Sequence, residues 1–554
     1  MAEMILPGTY IEVRPEGLIV PGRVTVGNLG VVGTAARGPI GVPVILGSYT
    51  EAQQRFYKYD PWIDGRSNEL TLVRALEQAF SHGATTVFAV RVASAGAAKA
   101  SYTLKSASGD CVKLTAKSEG EWGNDLSINV ASAEENAFIE DEAHLGSEAA
   151  PITLKHKPVK SARNRISLNV DATGVTHILK ILYDGDPAPG AGEVKVDRAT
   201  GQMSFGDAVA AADKVKVSYL VDRASAVKVT LRLERVDEVY TVVDGNDLAD
   251  DIRRQSAWVD AHPEVHAVEP PSKSASPDAF AVFTDGENGA DATDAEYQTG
   301  LDALLNEDAH IIVAAGQDDH FGNKLDAHCQ LASTDTIKHD RIALVGSKLG
   351  ATVDDLRGHN IGSDRVIFVA PGIQATDAGA TPPVEVTLPG AYAAAAVAGL
   401  LASFSAHISL TNKTLSVDGL ERRFTAAELT QLVQNRVLAL EQRQGFRIVK
   451  GITTSTITAF AQITTRRIVD FAKFGVRSAA NPYIGLLNNE RVRGALRATI
   501  NSFLAEMVDD EMLISYELEV TATRDDQIKG IARVTMVLRP TFSIDFIKVT
   551  MFLE

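Results

Sequence analysis

NELTLVRALEQAFSHGATTVFAVRV, residues 68–92, contains a helical pattern followed directly by a strand pattern. Asn68 is a suitable N-cap and Gly83 follows the last periodic residue, so a helix is predicted between them. The apolar side chains on one face of this helix are Leu72, Val73, Leu76, Ala79 and Phe80. TTVFAVRV (85–92) then has the pattern of a buried strand, and VTVGNLGVVG (24–33) is a similar run upstream. Strand, helix and strand in this order predict a parallel βαβ unit.

The same alternation of strands and helices returns later in the chain. Near-continuous apolar runs, typical of strands covered on both faces, are AHIIVAAG (309–316), DRIALVG (340–346) and DRVIFVAPG (364–372). The uncharged run from Val386 to Asn412 is rich in alanine and is interpreted as a buried helix rather than a membrane span. The sequence therefore predicts an α/β core with a mostly parallel sheet, formed by residues 23–100 and 276–415.

Residues 101–275 have a different pattern, in which short alternating strands are separated by turn-rich clusters. Examples are KVKVSYLV (214–221) and KVTLRLE (228–234). Such spacing is typical of an antiparallel sandwich or barrel. One helix, predicted over 246–262, interrupts the strands.

The two ends of the chain predict extended segments around a C-terminal α+β domain, residues 416–535. That domain contains two predicted helices, in TAAELTQLVQNRVLALEQRQG (425–445) and NNERVRGALRATINSFLAEMV (488–508). Residues 1–22 are too poor in apolar side chains for their own core and predict an N-terminal arm. In the C-terminal arm, residues 536–554, apolar side chains alternate as in a strand, with a slip of phase at Ile547. Because chain ends fray unless something holds them, a strand here needs a sheet to join.

Composition and charge restrict the class of protein. The 554 residues have a hydrophobic content of 45% and two cysteines without ligand spacing, which predicts a soluble globular protein from a reducing compartment. No signal peptide is predicted. A net charge of −17 argues against a general nucleic-acid binder. Residues 421–500 nevertheless contain 13 basic and 5 acidic residues, which indicates either an acidic partner surface or a solvated patch.

A search for catalytic and metal motifs gives little. The chain has no phosphate-binding loop, no nucleophile elbow and no HExxH sequence. The spacing of His262 and His266 is weak evidence for a metal site, and His320, His328, Cys329 and His339 are interpreted as solvated positions. DGENGADATDAE (285–296) lacks the EF-hand spacing and is interpreted as a loop and N-cap before a helix at Thr293. We therefore predict no cofactor, no metal and no enzymatic activity.

Several segments, in order along the chain, resemble contractile phage tail sheath proteins. They are LPGTYIEV (6–13), VVGTAARGPIGVPVILGSYTEAQQRF (31–56), LVRALEQAFSHGATTVFAVRV (72–92), AKSEGEWGNDLSINV (116–130), GADATDAEYQTGLDAL (289–304), RRIVDFAKFGVRS (466–478), NNERVRGALRATINSFL (488–504) and LRPTFSIDFIKVTMFLE (538–554). Residues 138–223 have no counterpart in the shortest family members and are interpreted as an inserted β domain that faces outward. The family's central domain is described as subtilisin-like in topology, but no Asp-His-Ser set supports proteolysis here.

The resemblance implies a homo-oligomeric, helical sheath of stacked rings around a tail tube. The subunit would be part of a virion tail assembled in the host cytoplasm, with the tube, baseplate and tail terminator proteins as partners and neither nucleic acid nor a membrane span. It further implies that the terminal arms join a sheet in neighbouring subunits, since strand addition supplies backbone hydrogen bonds and side-chain pockets. The slip at Ile547 is then a possible bulge. The implied arm residues are Tyr10, Ile11, Val13, Phe542, Ile544, Phe546, Val549, Met551 and Leu553.

In the family the C-terminal domain faces the tube, which is where the basic block lies. The candidate tube contacts are Arg491, Arg493 and Arg497, with Arg466 and Arg467 as weaker candidates; ordinary helix-surface charges are the alternative. Contraction would drive the tube through the target envelope and needs no nucleotide. Other possible functions are the sheath of a phage-derived injection particle or bacteriocin and, with less support, an α/β hydrolase.

Overall fold

The computed structural model describes residues 27–62, 70–146, 151–170, 175–289 and 291–552. The chain divides into two compact units. Unit 1 comprises Met1–Ala35, Pro39–Ser94 and Ala290–Glu554, and unit 2 comprises Ala36–Gly38 and Ala95–Gly289. The predicted N-terminal arm, residues 1–22, and the predicted N-cap Asn68 lie outside the described residues.

The described strands, in chain order, are β1 (Leu29–Thr34), β2 (Pro43–Leu46), β3 (Val87–Val92), β4 (Ser101–Lys105), β5 (Asp110–Ala116), β6 (Leu126–Ser132), β7 (Ala137–Leu145), β8 (Ile152–Thr153), β9 (Arg165–Val170), β10 (Val175–Leu182), β11 (Glu193–Val196), β12 (Gln202–Phe205), β13 (Lys214–Val221), β14 (Val227–Leu233), β15 (Val236–Val242), β16 (Val259–Pro263), β17 (Ala281–Val282), β18 (Ile311–Ala314), β19 (Ile342–Gly346), β20 (Val366–Ala370), β21 (Ile373–Asp377), β22 (Val384–Leu388), β23 (Thr414–Leu415), β24 (Gly419–Leu420), β25 (Leu438–Gln442), β26 (Phe446–Ile448), β27 (Leu513–Thr521) and β28 (Arg533–Pro540). The described α-helices are α1 (Tyr49–Phe56), α2 (Thr71–Ser81), α3 (Gly245–Gln255), α4 (Asp294–Ala303), α5 (Gly322–Ala332), α6 (Val353–Arg357), α7 (Gly390–Ala402), α8 (Ala426–Gln434), α9 (Ile463–Ala480), α10 (Glu490–Asp509) and α11 (Arg524–Ile528).

A nine-stranded sheet forms the centre of unit 1, in the order β2-β3-β1-β18-β19-β20-β25-β26-β23. Neighbouring strands from β3 to β25 run parallel, and the pairings at both ends are antiparallel. The mostly parallel sheet predicted from the apolar runs is therefore confirmed. The predicted parallel βαβ unit is confirmed as well, since β1, α2 and β3 form one.

Helices cover both faces of this sheet, which explains why its central strands are apolar at successive positions. Helices α2 and α7 pack on one face, and α4, α5 and α8 on the other. The small residues of α7 permit a close approach to α2, because a Cβ at Gly399 would overlap the carbonyl oxygen of Ala79. The predicted buried helix between Val386 and Asn412 is thus confirmed as α7. None of the described helices is long and apolar enough to cross a membrane.

The helix predicted over 425–445 was wrong in its second half. Thr425 and Glu428 form a capping box at the start of α8, but the helix ends at Gln434. The chain then forms β25, whose buried residues Leu438 and Ala439 pair with β20, so the core sheet continues beyond residue 415. Gly445, with φ +97°, occupies the turn between β25 and β26 rather than a helix end.

Two other predictions also differ from the structure. The helix expected over 246–262 stops at Gln255, and Val259–Pro263 becomes a strand paired with β5. The run AFAVF (279–283), predicted as a strand of the α/β core, contributes β17 to a sheet of unit 2 instead. The apolar pattern around Val259 is short enough to suit a helix or a strand.

The described residues of unit 2 form three sheets. A four-stranded sheet has the order β15-β14-β6-β17, and a three-stranded sheet has the order β16-β5-β4; both are antiparallel. A seven-stranded sheet, β7-β13-β9-β10-β11-β12-β8, is formed entirely from residues between Ala137 and Val221.

This seven-stranded sheet, called the insertion sheet below, has its own hydrophobic core. The core contains Val194, Val215, Val217 and Tyr219, all nearly inaccessible to solvent. Its first and last residues, Ala137 and Val221, are directly paired across β7 and β13. The chain therefore enters and leaves the insertion sheet at adjacent positions.

Candidate assembly surfaces

The C-terminal part of unit 1 contains the helices α9 and α10. Beside them lies a two-stranded antiparallel hairpin, formed by β27 and β28. One face of this hairpin packs on the helices through Tyr516, Leu518, Val520, Val534, Met536 and Leu538. No other described strand pairs with either β27 or β28. A two-stranded sheet is marginally stable by itself, and its open edges can template an added strand.

The C-terminal arm leaves this hairpin after Pro540. Thr541 N donates to Met512 O over 3.1 Å, and residues 541–552 then form neither helix nor strand within the chain. The apolar side chains predicted to line a strand are exposed: Phe542 by 58%, Ile544 by 80%, Phe546 by 85%, Val549 by 72% and Met551 by 85%. The arm thus presents apolar surface that its own subunit leaves uncovered. Of the other predicted arm residues, Tyr10, Ile11, Val13 and Leu553 lie outside the described residues.

Helix α10 carries three of the predicted tube-contact arginines near its N-terminus. Its inner face is buried as predicted, through Leu496, Ile500, Phe503, Leu504 and Met507. Arg491 and Arg497 are exposed and have no hydrogen-bond or ion-pair partner among the described residues. Arg493 instead donates to Asn488 Oδ1 over 2.9 Å. Exposed positions near Arg491 and Arg497 on the same helix are occupied by small residues, Gly494, Ala495 and Ala498.

Arg466 and Arg467 occupy a different environment, because α9 buries both side chains. Arg466 is 7% exposed and pairs with Asp364 (Nη1–Oδ2, 2.9 Å) and Asp470 (Nη2–Oδ1, 2.7 Å). Arg467 donates from Nη2 to Phe404 O over 2.9 Å, and burial lowers the pKa of its guanidinium to about 10. Side chains inside the subunit cannot meet an external tube, so Arg466 and Arg467 are removed from the candidates.

A buried charge network ties α9 to the ends of the core strands. Arg365, just before β20, pairs with Asp470 in a bidentate arrangement at 2.8 and 3.1 Å, and lies 3.4 Å from Asp340. Asp340, just before β19, also binds Lys473 and Arg477 of α9. Burial opposes the charge on Arg365, but Asp470 more than offsets it, so the pKa of Arg365 is raised. This arginine network fixes the basic helix to the sheet.

Of the histidines and cysteines considered for a metal site, His320 alone belongs to a cluster of three possible ligands among the described residues. In the described part of the chain only Asp318, Asp319 and His320 lie close enough to share a cation, in a surface turn where Asp318 caps His320 N. His328 and Cys329 were predicted to be solvated, and this was wrong. Both are buried in the core, where burial lowers the pKa of His328 to about 3 and raises the pKa of Cys329 to about 12. Thr293 caps α4 as predicted for the acidic loop.

Comparison with known families matches two consecutive segments in the second half of the chain. Residues 290–454 match the family model of the phage tail sheath protein central domain, and residues 455–554 match that of the phage tail sheath C-terminal domain. Residues 290–554 therefore carry the central and C-terminal domains of a phage tail sheath protein. The role of this sheath subunit is structural, as a component of a phage tail sheath. The boundary at 454/455 falls after β26, in agreement with the core sheet extending beyond residue 415.

Solved sheath structures share the fold over nearly the whole chain. A sheath tail protein from Desulfitobacterium hafniense has a TM-score of 0.58 at 15% identity, covering 96% of this sheath subunit and 100% of that chain. A sheath tail protein from Listeria innocua has a TM-score of 0.57 at 14% identity, covering 94% and 96%. The helical sheath of the anti-feeding prophage, in its contracted state, has a TM-score of 0.50 at 12% identity, covering 99% of each chain. No curated protein sequence matches the sheath subunit significantly.

Proposed function

We propose that this sheath subunit polymerises helically around a tail tube, linked to its neighbours by exchanged terminal strands, and contracts to drive the tube through a target envelope. The observation that carries the proposal is the combination of an exposed apolar arm with an open-edged hairpin in the same chain. Each lacks what the other supplies: the arm lacks a sheet, and the hairpin lacks further strands. Strand addition between subunits satisfies both.

The free energy available from this exchange is large. Fully burying a large apolar side chain contributes about 1.5–3 kcal/mol, so burying the exposed arm residues gives on the order of 10 kcal/mol before ordering costs. Backbone hydrogen bonds to the edge strands add specificity, and alternating side chains fix the register. A flexible arm that stays paired would keep the lattice connected while near-rigid subunits move during contraction.

The same proposal includes the tube, baseplate and terminator proteins as partners. The tube lies against the C-terminal domain, the baseplate triggers contraction, and a terminator protein ends the sheath, in a virion tail assembled in the host cytoplasm. The insertion sheet faces outward, away from the tube. The protein acts without enzymatic activity, because the work of contraction comes from repacking of the lattice.

We further propose that Arg491 and Arg497 contact an acidic surface on the tube. Replacing both with glutamate is expected to weaken co-sedimentation with tube protein at least tenfold at low salt, because attraction becomes repulsion. The monomer's melting temperature should stay unchanged, since neither side chain has a described partner. The control replaces the exposed Lys99 and Lys113 of unit 2 with glutamate, which makes the same change of net charge. Equal loss in both variants would mean that total charge, not this helix, controls tube binding.

The experiment that tests polymerisation is negative-stain electron microscopy of the purified protein with native ends, across a concentration series. Hollow tubules whose abundance rises with concentration are the expected result. Monodisperse particles at every concentration, with and without tube protein as a template, would contradict the proposal.

A second candidate is the sheath of a phage-derived injection particle rather than of an infectious phage. It is favoured by the similarity to the anti-feeding prophage sheath over 99% of both chains. Both candidates use the same subunit mechanism. Capsid genes beside the coding sequence would favour a phage, and their absence from an otherwise complete cluster would favour the particle.

A further inference from the structure

One residue of the C-terminal arm is held firmly although its neighbours are exposed. The side chain of Asp545 is only 10% exposed. Its Oδ1 accepts from Thr411 Oγ1 over 3.3 Å and from Ser543 Oγ over 3.2 Å. Its Oδ2 accepts from Gln462 Nε2 over 3.2 Å and lies 3.3 Å from Lys450 Nζ. The carboxylate is therefore surrounded by donors, as expected for a buried charge that is stably bound.

The groups that bind the Asp545 carboxylate come from separate parts of the subunit and make other contacts of their own. Thr411 Oγ1 also accepts from Gly451 N over 3.1 Å. Lys450 follows β26, and its ammonium lies 5.2 Å from the centre of the Phe546 ring. Thr411 and Lys450 belong to the central domain, and Gln462, next to the first residue of α9, belongs to the C-terminal domain. The contact thus fastens the arm to both domains of its own subunit.

Beyond this contact, the side chains of residues 547–552 make no described hydrogen bond or ion pair. Ile547 is 82% exposed, and Lys548 has no partner among the described residues. The alternation of apolar side chains also changes phase at Ile547, immediately after the fastened segment. Two independent observations, the contacts and the sequence pattern, therefore place a boundary at the same position.

We propose that Asp545 clamps the C-terminal arm to its own subunit, so that only residues 547–554 cross to a neighbour. The proposal rests on the strand exchange proposed above and defines which part of the arm takes part in it. Eight extended residues reach about 26 Å, at about 3.3 Å each. A clamp at the start of so short a strand fixes its register, because the strand cannot slide along the partner sheet.

The test uses nitroxide labels on single introduced cysteines, Ile544→Cys inside the clamped segment and Thr550→Cys beyond it. The native Cys111 and Cys329 are buried and should not react. In monomers at low concentration, electron paramagnetic resonance should show a slow component for the label at 544 and fast motion for the label at 550. Adding Asp545→Asn should remove the slow component at 544 and leave 550 unchanged. The control, Lys548→Gln, removes a charge from the same arm and should change neither spectrum.

Equal mobility at 544 and 550 in the parent protein, or a slow component at 544 that survives Asp545→Asn, would overturn the clamp. Labelled subunits diluted into unlabelled tubules then locate the boundary. The label at 550 should become immobile while the spectrum at 544 stays as in the monomer. A changed spectrum at 544 would overturn the boundary at Ile547. Absence of tubules, by contrast, would contradict strand exchange but not the clamp, which is measured in monomers.

Discussion

Replacing Val549 and Met551 with aspartate is expected to abolish tubules while leaving the monomer folded. Both side chains are largely exposed in the single subunit, so the fold loses no packing when they change. In the assembled sheath they would fill pockets on a neighbour, where two unpaired carboxylates cost several kcal/mol each. We expect the concentration needed for assembly to rise at least a hundredfold, measured by sedimentation and electron microscopy, with an unchanged thermal melt.

The control places two aspartates on the other face of the same segment, at Lys548 and Thr550, and lowers the net charge by 3 against 2 for the first variant. If the arm forms a strand, these positions alternate with Val549 and Met551 and point away from the buried face. Lys548→Asp with Thr550→Asp should therefore assemble far better than the first variant. Equal failure of the two double variants would show that charge alone blocks assembly, and normal assembly of both would argue against any role for the arm.

Replacing Arg365 with methionine is expected to lower the free energy of unfolding by about 3–5 kcal/mol, since it removes one partner from a buried network of charges. Asp470 would lose both contacts to Arg365 and keep Arg466, while Asp340 would keep Lys473 and Arg477. Methionine retains most of the aliphatic volume, so the loss reports the charge network more than a cavity. Guanidinium denaturation followed by circular dichroism measures the change.

A surface pair provides the comparison for this variant. Arg539 lies 2.8 Å from Glu517 across the hairpin, and both side chains are more than half exposed. Arg539→Met should cost less than about 1 kcal/mol, because water screens and replaces such a pair. If Arg365→Met is no more destabilising than Arg539→Met, the network does not hold α9 to the sheet.

The parts of this fold that could be predicted are those in which neighbouring residues carry the information. Leu72, Val73, Leu76 and Ala79 define the buried face of α2 through local periodicity, and the runs around Ile312 and Val345 mark strands covered on both faces. The run around Leu438 was misread because a helix with a capping box precedes it directly. Its pairing with β20, about seventy residues earlier in the chain, decided the outcome.

The candidate assembly surfaces could likewise be predicted only where the signal lies in neighbouring residues. The apolar alternation of the arm is visible in the sequence, and so is the basic character of α10. The burial of Arg466 is not, because its partner Asp364 is 102 residues away. Asp545 likewise carries no local signal, since its partners Thr411, Lys450 and Gln462 are brought together only by the folded chain.

The direct pairing of Ala137 with Val221 has an evolutionary and practical consequence. Paired residues in an antiparallel ladder lie about 4.5–5.5 Å apart, so the two junctions of this module nearly coincide. A short turn could replace everything between them. A single recombination event could therefore add or delete the insertion sheet and leave the rest of the subunit fold intact. The same site would accept a foreign domain with adjacent termini, and each ring of an assembled particle would then display that cargo at regular intervals.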